Sequence, residues 1–326
     1  MLHLRLITPA GRTDEVVHRI ESTVGTTHLV VLPGAARSPA GDVVLCDVAR
    51  EAGDGLIEEL RDLGLERDGA ITVENIDLSL SENADRAERE APGEAADAVL
   101  WEQLEEATHE ESTLSVTYVA FLTIATMLAA CGVVLDNAIL IVGAMAVGPE
   151  FGPLAGICTA AVQRAPKLAA RSALALLVGF AVAMAVTAGF SLFMDAVDLF
   201  SKARLEADRP NTGFVYAPDW FSFIVAVLAG AAGMLSLTSA KSGALVGVAI
   251  SVTTVPAAAN AAVAFVYTDT HQGWHSLQQL VLNLFGIILA GTLTLLAQKA
   301  LWATKRRRGA ERPRGLSGGP QRHSTR

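Results

Sequence analysis

The stretch AVGPEFGPLAG places a carboxylate and two prolines inside a long apolar run. A proline has no backbone N–H, so Pro149 leaves the carbonyl of Met145 without its usual helical donor, and Pro153 does the same to Pro149. In lipid, such carbonyls are tolerated only beside protein or a water-filled cavity. An acid within a membrane span is costly and marks a functional site by default. Glu150 and the freed carbonyls therefore predict a broken helix that lines an internal site for a cation, a proton or a small polar solute.

A second break is predicted about a hundred residues later, in GALVGVAISVTTVPAAAN. Pro256 frees the carbonyl of Val252, and the hydroxyls of Ser251, Thr253 and Thr254 cluster beside it. We therefore expect this segment to contribute oxygen ligands to the same site as Glu150.

A packing role explains part of the same pattern. Small residues spaced four apart let membrane helices approach closely in proteins that move nothing. Two such ladders are present: Gly148, Gly152 and Gly156, and Gly243, Gly247 and Ser251. The glutamate is what favours a site over packing. In the functional interpretation Gly148, Gly152, Pro153 and Pro256 shape the breaks, and Pro153 starts a second half-helix.

The elements that position these residues belong to the second of two unlike halves. The chain has 326 residues, of which 51% are hydrophobic, and a net charge of −9. Residues 1–113 contain 25 acidic and 9 basic residues, whereas residues 114–326 contain 9 acidic and 16 basic residues. Such a contrast indicates a soluble acidic domain followed by a membrane domain.

Six apolar segments reach the roughly 20 residues that a span requires. We predict spans at residues 114–135, 138–162, 172–194, 219–239, 243–267 and 277–303. Basic residues lie between spans two and three, between spans four and five, and in KRRR after span six. By the positive-inside rule both termini are cytoplasmic, as expected of a multi-pass protein of the bacterial inner membrane.

Depth links the two breaks. Glu150 follows Ala138 by 12 residues, a helical rise of about 18 Å, which is near the middle of a hydrocarbon layer about 30 Å thick. Residues Thr253 to Pro256 reach a depth of about 15–20 Å from the opposite face. Spans one to three and four to six would then form a 3+3 inverted repeat with broken helices, a pattern that points to transporter sites.

The soluble half predicts a small α+β domain with ferredoxin-like βαββαβ order over residues 1–80. LHLRLIT, THLVVLPG, GDVVLCDVA and GAITVENIDLSL have strand patterns, and two helical segments separate them. Residues 81–113 are an acidic helical linker, residues 114–304 the six-span domain, and residues 305–326 a basic disordered tail. The acidic surface argues against a nucleic-acid partner.

The paired motifs DNAILIVGAMAVGPEFGP and VGVAISVTTVP resemble the domain-of-unknown-function 389 family of bacterial membrane proteins, also called the uncharacterised hydrophobic domain. The resemblance covers most of the membrane half. It implies motif positions at Asp136, Asn137, Gly143, Ala144, Met145, Pro149, Gly152, Pro153, Gly247, Ala249, Ser251 and Pro256. Of these, Asn137 and Met145 join the candidate site. Two residues depart from the family pattern: Ala257 replaces a frequent second proline, and Glu150 replaces an apolar residue.

Other chemistry is sparse. His271 and His275 lie four residues apart near Asp269 and are weak candidates for a metal site that would need a third ligand. No phosphate loop, HExxH helix or GxSxG elbow is present, so the sequence predicts neither an enzyme nor a cofactor.

Two functional classes remain. In the first, the protein is a secondary transporter or channel-like protein for an ion or small polar solute, surrounded by membrane lipids and assembled as a homo-oligomer. In the second, it is a membrane-anchored sensor or assembly platform whose ferredoxin-like domain binds a small ligand.

Overall fold

The computed structural model describes residues 1–76, 78–91, 99–239 and 253–310. The N-terminal part contains, in chain order, β1 (Leu2–Thr8), α1 (Thr13–Ser22), β2 (Thr26–Arg37), β3 (Ala40–Val48), α2 (Arg50–Asp62), the short α3 (Leu65–Asp68) and β4 (Ala70–Asn75). The linker contains α4 (Glu82–Glu90) and α5 (Trp101–Glu111).

The N-terminal strands form one antiparallel sheet in the order β2-β3-β1-β4. This is the ferredoxin-like arrangement that the βαββαβ pattern predicts. Leu2, Leu4 and Leu6 alternate on β1 and are buried beneath α1 and α2. The period-2 pattern of β1 therefore sets which sheet face the helices cover. β4 ends at Asn75, so residues 78–80, which the sequence prediction included in this strand, lie outside it.

The linker connects the two halves physically. Leu100, just before α5, is buried in the core of the N-terminal domain, and Trp101 donates its backbone N–H to Asp54. The other end of α5 packs against the membrane half. The linker helix therefore contacts both halves.

The membrane half contains eight helices among the described residues. They are α6 (Val116–Val134), α7 (Ala138–Val147), α8 (Phe151–Gln163), α9 (Pro166–Ala196), the short α10 (Lys202–Glu206), α11 (Trp220–Thr238), α12 (Thr254–Val266) and α13 (Thr270–Ala310). The last helix continues through the KRRR segment, which the sequence predicted to be disordered.

Four of these helices, α6, α9, α11 and α13, are long and apolar enough to cross a membrane. The pair α7 and α8 qualifies as one bent span, which raises the number to five. The fifth predicted span, residues 243–267, lies partly outside the described residues, and its described helix α12 has only 13 residues. The protein is thus a helical membrane protein, and six spans remain a prediction.

Helices of equal length recur along the membrane half. α6 and α11 both have 19 residues, and α11 begins 104 residues after α6. α8 and α12 both have 13 residues, begin 103 residues apart, and carry proline at their third position. A residue with positive φ follows each of them, Arg164 after α8 and Thr268 after α12, before a long helix begins.

The helix ends define two faces of the bundle. We call the end that holds residues 197–219 and the turn before α13 the loop face. The end that holds α5 and the turn before α9 is the linker face. Asp136 and Asn211 meet at the loop face, and Lys299 contacts the carbonyl of Val162 at the linker face.

Candidate functional site

The helix formed by α7 and α8 is broken at Gly148, Pro149 and Glu150, as the prolines predicted. The two halves meet at 53°. Gly148 is extended, with ψ of 127°, and its N–H still donates to Ala144 O at 3.1 Å. The break therefore changes the direction of the chain, and the first residues of α8 are buried in the bundle.

The two breaks meet at a single side-chain contact. Thr254, the first residue of α12, donates its hydroxyl to Glu150 Oε1 at 2.7 Å. Glu150 is 5% exposed and Thr254 is 1% exposed. Two segments a hundred residues apart thus come together through a buried carboxylate and a hydroxyl.

One oxygen of this carboxylate is left over. Glu150 Oε2 is buried and has no hydrogen-bond partner among the described residues. Within the same part of the chain no Lys, Arg or His forms an ion pair with Glu150. A buried carboxylate normally has paired or hydrogen-bonded oxygens. Its free oxygen can therefore accept from a ligand or coordinate a cation.

The site extends to α13 through amide side chains. Asn283 donates from Nδ2 to Thr253 Oγ1 at 2.9 Å, next to the threonine that contacts Glu150. Gln279 donates from Nε2 to Asn283 Oδ1 at 3.5 Å, and Gln279 Oε1 is buried without a partner in the described residues. Carboxylate, hydroxyl and amide oxygens are therefore connected from α8 across α12 to α13.

The first turns of α8 contact the end of the linker. Gly152 lies against Glu111 of α5, and Gly156 lies against Ser112, which precedes α6 by only a few residues. The residues that directly follow Glu150 therefore pack against the end of α5.

The remaining predicted site residues separate into three groups. Met145, Pro149, Gly148, Gly152, Pro153 and Pro256 lie at or beside the breaks. Asn137 is the N-cap of α7 and accepts from the N–H groups of Ile139 and Leu140. It lies about 15 Å of helix away from Glu150. Ser251 and Val252 fall outside the described residues.

A buried cation lies at the loop face. Arg209 is 4% exposed, donates to Asn260 Oδ1 at 3.0 Å, and its guanidinium lies 4.6 Å from the centre of the Tyr216 ring. Burial lowers the pKa of Arg209, because a cation loses hydration inside protein. Asp136 and Asp269 are near enough to act on it electrostatically.

The candidate metal residues do not form a cluster. The ring centroids of His271 and His275 are 4.3 Å apart, and the ring planes are tilted by 30°. In the described ranges, no group of three or more His, Cys, Asp or Glu side chains is placed to hold a metal ion.

Sequence reasoning missed the residues of α13 and the loop. Gln272, Ser276, Gln279 and Asn283 are all buried and lie on one face of α13. Their spacing of four, three and four residues is the helical period, so it was a readable signal. Mean hydropathy concealed it, because apolar residues surround each of them.

The close approach at the break yields a direct test of its geometry. A Cβ at Gly148 would clash with the Glu150 carboxylate and lie 2.9 Å from Val255 Cγ2. We expect Gly148→Ala to lower the thermal unfolding midpoint in detergent, at a cost of about 1–3 kcal/mol. Gly143→Ala, in the same helix with nothing within 4 Å, is the matched control and should be neutral or stabilising. Equal effects of the two changes would contradict this packing.

Comparison with known proteins covers the same segment. Residues 145–289 match the family described as a domain of unknown function (DUF389). An uncharacterized protein of Methanocaldococcus jannaschii is 26% identical over 171 residues, which is 52% of this chain and 50% of that protein. The alignment thus spans about half the length of this relative. No solved structure gives a significant match.

The matched region begins at Met145 and includes Glu150, both described helices after the breaks, and the buried polar face of α13. The site and the family region therefore coincide. Residues 145–289 are thus similar to the DUF389 family, the family that the paired motifs resemble.

Proposed function

We propose that this protein is a secondary transporter or channel-like protein for an ion or small polar solute, with its binding site where the two breaks meet. The observation that carries the proposal is the buried contact between Glu150 and Thr254. Ionisable groups inside a membrane bundle are expensive and are retained where they bind or move something. The soluble domain regulates or assembles the bundle, and the protein is a homo-oligomer in the cytoplasmic membrane.

An inverted repeat agrees with the recurrence of helix lengths. In this repeat α6 corresponds to α11, α8 to α12 and α9 to α13. The contact of α6 with α9 then corresponds to that of α11 with α13, and the contact of α8 with α13 corresponds to that of α12 with α9. Exchanging the two halves therefore preserves these four helix contacts. Discontinuous helices at matching positions of two repeats are how many transporters build a substrate site.

The linker offers a means of regulation. Ser172 of α9 donates to Ser112 at 2.9 Å, and Arg171 contacts both His109 and Thr113. Glu111 lies directly against Gly152 in the first turn of α8. A displacement of α5 would therefore act two residues away from Glu150.

The test is flux through purified protein in sealed vesicles. Wild-type protein should move a monovalent cation or a proton faster than protein-free vesicles, and the rate should depend on cation concentration or pH. An absence of flux for every ion and small solute tried would favour the second functional class.

Topology supplies an independent prediction, because basic residues are concentrated at the linker face. We place the loop face outside and the linker face in the cytoplasm. An impermeant thiol reagent should label Asp208→Cys in intact cells and spare Lys167→Cys until the cells are opened. Both positions are exposed, so access to the residue does not bias the comparison. Labelling of Lys167→Cys in intact cells would contradict the assigned orientation.

A sensor role is the second candidate, favoured by a groove in the soluble half. The groove has a volume of about 710 Å³ and lies between α2, β4 and α5. Arg61, Gln103 and Glu106 are among its polar lining residues. A ligand there would contact the helix that reaches Gly152. Ligand-dependent protection of α5 from hydrogen exchange, without any flux, would favour this function.

A further inference from the structure

The buried polar face of α13 runs from the loop face to the candidate site. We call Gln272, Ser276, Gln279 and Asn283 the polar stripe. Their exposed fractions are 8%, 0%, 0% and 1%. From the first to the last residue the helix advances about 16 Å, which is half of a hydrocarbon layer about 30 Å thick. A continuous polar line of this length in a membrane bundle requires an explanation beyond packing.

The loop-face end of the stripe is connected to Arg209. When the Gln272 amide is oriented to satisfy its neighbours, its oxygen accepts from Arg209 and its Nε2 donates to Asp269 Oδ2 at 3.1 Å. Ser276 accepts a hydrogen bond from Asn260 at 2.7 Å, and Asn260 itself accepts from Arg209. Arg209 therefore lies across the entrance to the stripe and is bonded to both α12 and α13.

The other end of the stripe joins the site. Asn283 donates to Thr253, whose neighbour Thr254 contacts Glu150. Two acceptors along this line, Gln279 Oε1 and Glu150 Oε2, are buried and unpaired among the described residues. Thr254 Oγ1, Asn283 Nδ2 and Gln279 Nε2 each already donate within this network, so the unused capacity of these residues includes the lone pairs of the two oxygens.

This unused capacity selects a class of ligand. Carboxylate and carbonyl oxygens suit hard cations, whereas an anion would need free donors. A divalent hard cation is usually held by several carboxylates, and Glu150 is the only acid buried in the described part of the bundle. One negative charge and neutral oxygens match a monovalent cation.

The equivalent helix of the other half lacks the stripe. α9 begins 104 residues before α13, so the matching positions are Leu168, Ser172, Ala175 and Gly179. All four are buried, but only Ser172 is polar. At Gly179 a Cβ would lie 2.7 Å from the ring of Tyr118, so an aromatic side chain occupies the space. Repeat geometry alone therefore does not produce a polar face.

We infer that the polar stripe is the path by which an alkali-metal cation travels from the loop face to Glu150, and that Arg209 closes its entrance. The inference rests on the proposed function for the role of Glu150. Asp136 and Asp269 beside Arg209 attract cations to the entrance. When Arg209 swings away from Asn260 and Gln272, the cation exchanges its hydration for the oxygens of the stripe.

Cysteine accessibility tests the path without requiring transport. Cys46, Cys131 and Cys158 are first replaced with alanine. Gln279→Cys should then react with an impermeant thiol reagent applied at the loop face of vesicles of known orientation. Val281→Cys, on the outward side of the same helix at similar depth and 63% exposed, should remain unlabelled in lipid. Ala175→Cys, the matching position on α9, should also remain unlabelled.

Two further measurements address the cation and the gate. Labelling of Gln279→Cys should be at least several-fold slower in NaCl than in choline chloride at equal ionic strength. The change Arg209→Ala should accelerate labelling several-fold. If Gln279→Cys fails to assemble, Asn283→Cys takes its place, with assembly judged by size-exclusion chromatography.

The outcomes separate this inference from the proposed function. Labelling of Gln279→Cys no faster than of Val281→Cys or Ala175→Cys would overturn the path, even if vesicles show flux. Equal labelling rates in NaCl and choline chloride would contradict the claim that an alkali-metal cation occupies the stripe. An unchanged labelling rate after Arg209→Ala would contradict the claim that Arg209 closes the entrance. Selective, sodium-sensitive labelling without any flux would instead support the path and contradict the transport function.

Discussion

Glu150→Gln should abolish cation-dependent flux while leaving the bundle assembled. Glutamine has the shape of glutamate and its Oε1 can still accept from Thr254, so packing at the break is retained. It removes the negative charge and the exchangeable proton. Interactions with a charged group are worth about 1.5–3 kcal/mol, so we expect cation binding to weaken about 10- to 100-fold. The measurement is flux and cation affinity in reconstituted vesicles.

Two other variants sharpen this result. Thr254→Val removes the hydroxyl and leaves Glu150 charged, so it should weaken binding less than Glu150→Gln. In the double variant the two effects should be non-additive, because both act on one contact. Glu206→Gln, an exposed acid on the loop face, is the control and should retain wild-type flux. Unchanged cation-dependent flux after Glu150→Gln would indicate that the segment around Glu150 serves helix packing and not cation binding.

Gly230→Leu should prevent stable assembly of the bundle, the largest structural effect that we expect. A Cβ at Gly230 of α11 would lie 2.6 Å from the backbone oxygen of Ile287 and 2.7 Å from its Cα. The clash involves backbone, so no side-chain rotation can relieve it, and α11 and α13 must separate. Overpacking typically lowers the free energy of unfolding by about 1–3 kcal/mol. We expect the loss for Gly230→Leu to be at or above the upper end of this range.

The control is the same change at Gly189 of α9, an exposed residue where a Cβ would meet nothing within 4 Å. Gly189→Leu should change stability by no more than about 0.5 kcal/mol. Thermal unfolding in detergent and the elution profile compare the two variants. Equal stability of both would show that α11 and α13 are not packed through Gly230.

Local rules explain why part of the site could be read from the sequence. Pro149 and Pro153 interrupt a helix wherever they occur, because the missing N–H and the ring clash are properties of the residue itself. The alternation of β1 and the periods of α1 and α2 likewise predict the ferredoxin-like sheet. The contrast in charge between the two halves predicts one soluble and one membrane part.

Contacts between distant segments could not be read in this way. The Glu150–Thr254 hydrogen bond joins residues 104 positions apart, and nothing in either segment specifies the rotation that brings them together. Asn137 was a candidate site residue because it belongs to the motif that resembles the family, yet its side-chain oxygen is used by the α7 N-cap.

The sequence by itself determined the two-part organisation, the sheet order and the position of the first helix break, because each follows from backbone geometry and short-range hydrophobic period. Only the tertiary structure decided which polar groups share a surface. Gln279 and Asn283 join the site because α13 turns that face toward α12, and Arg209 because its loop folds back over both helices. Such pairings depend on the packing of whole helices, because buried polar groups in the bundle find their partners on other helices and not on neighbouring residues of the chain.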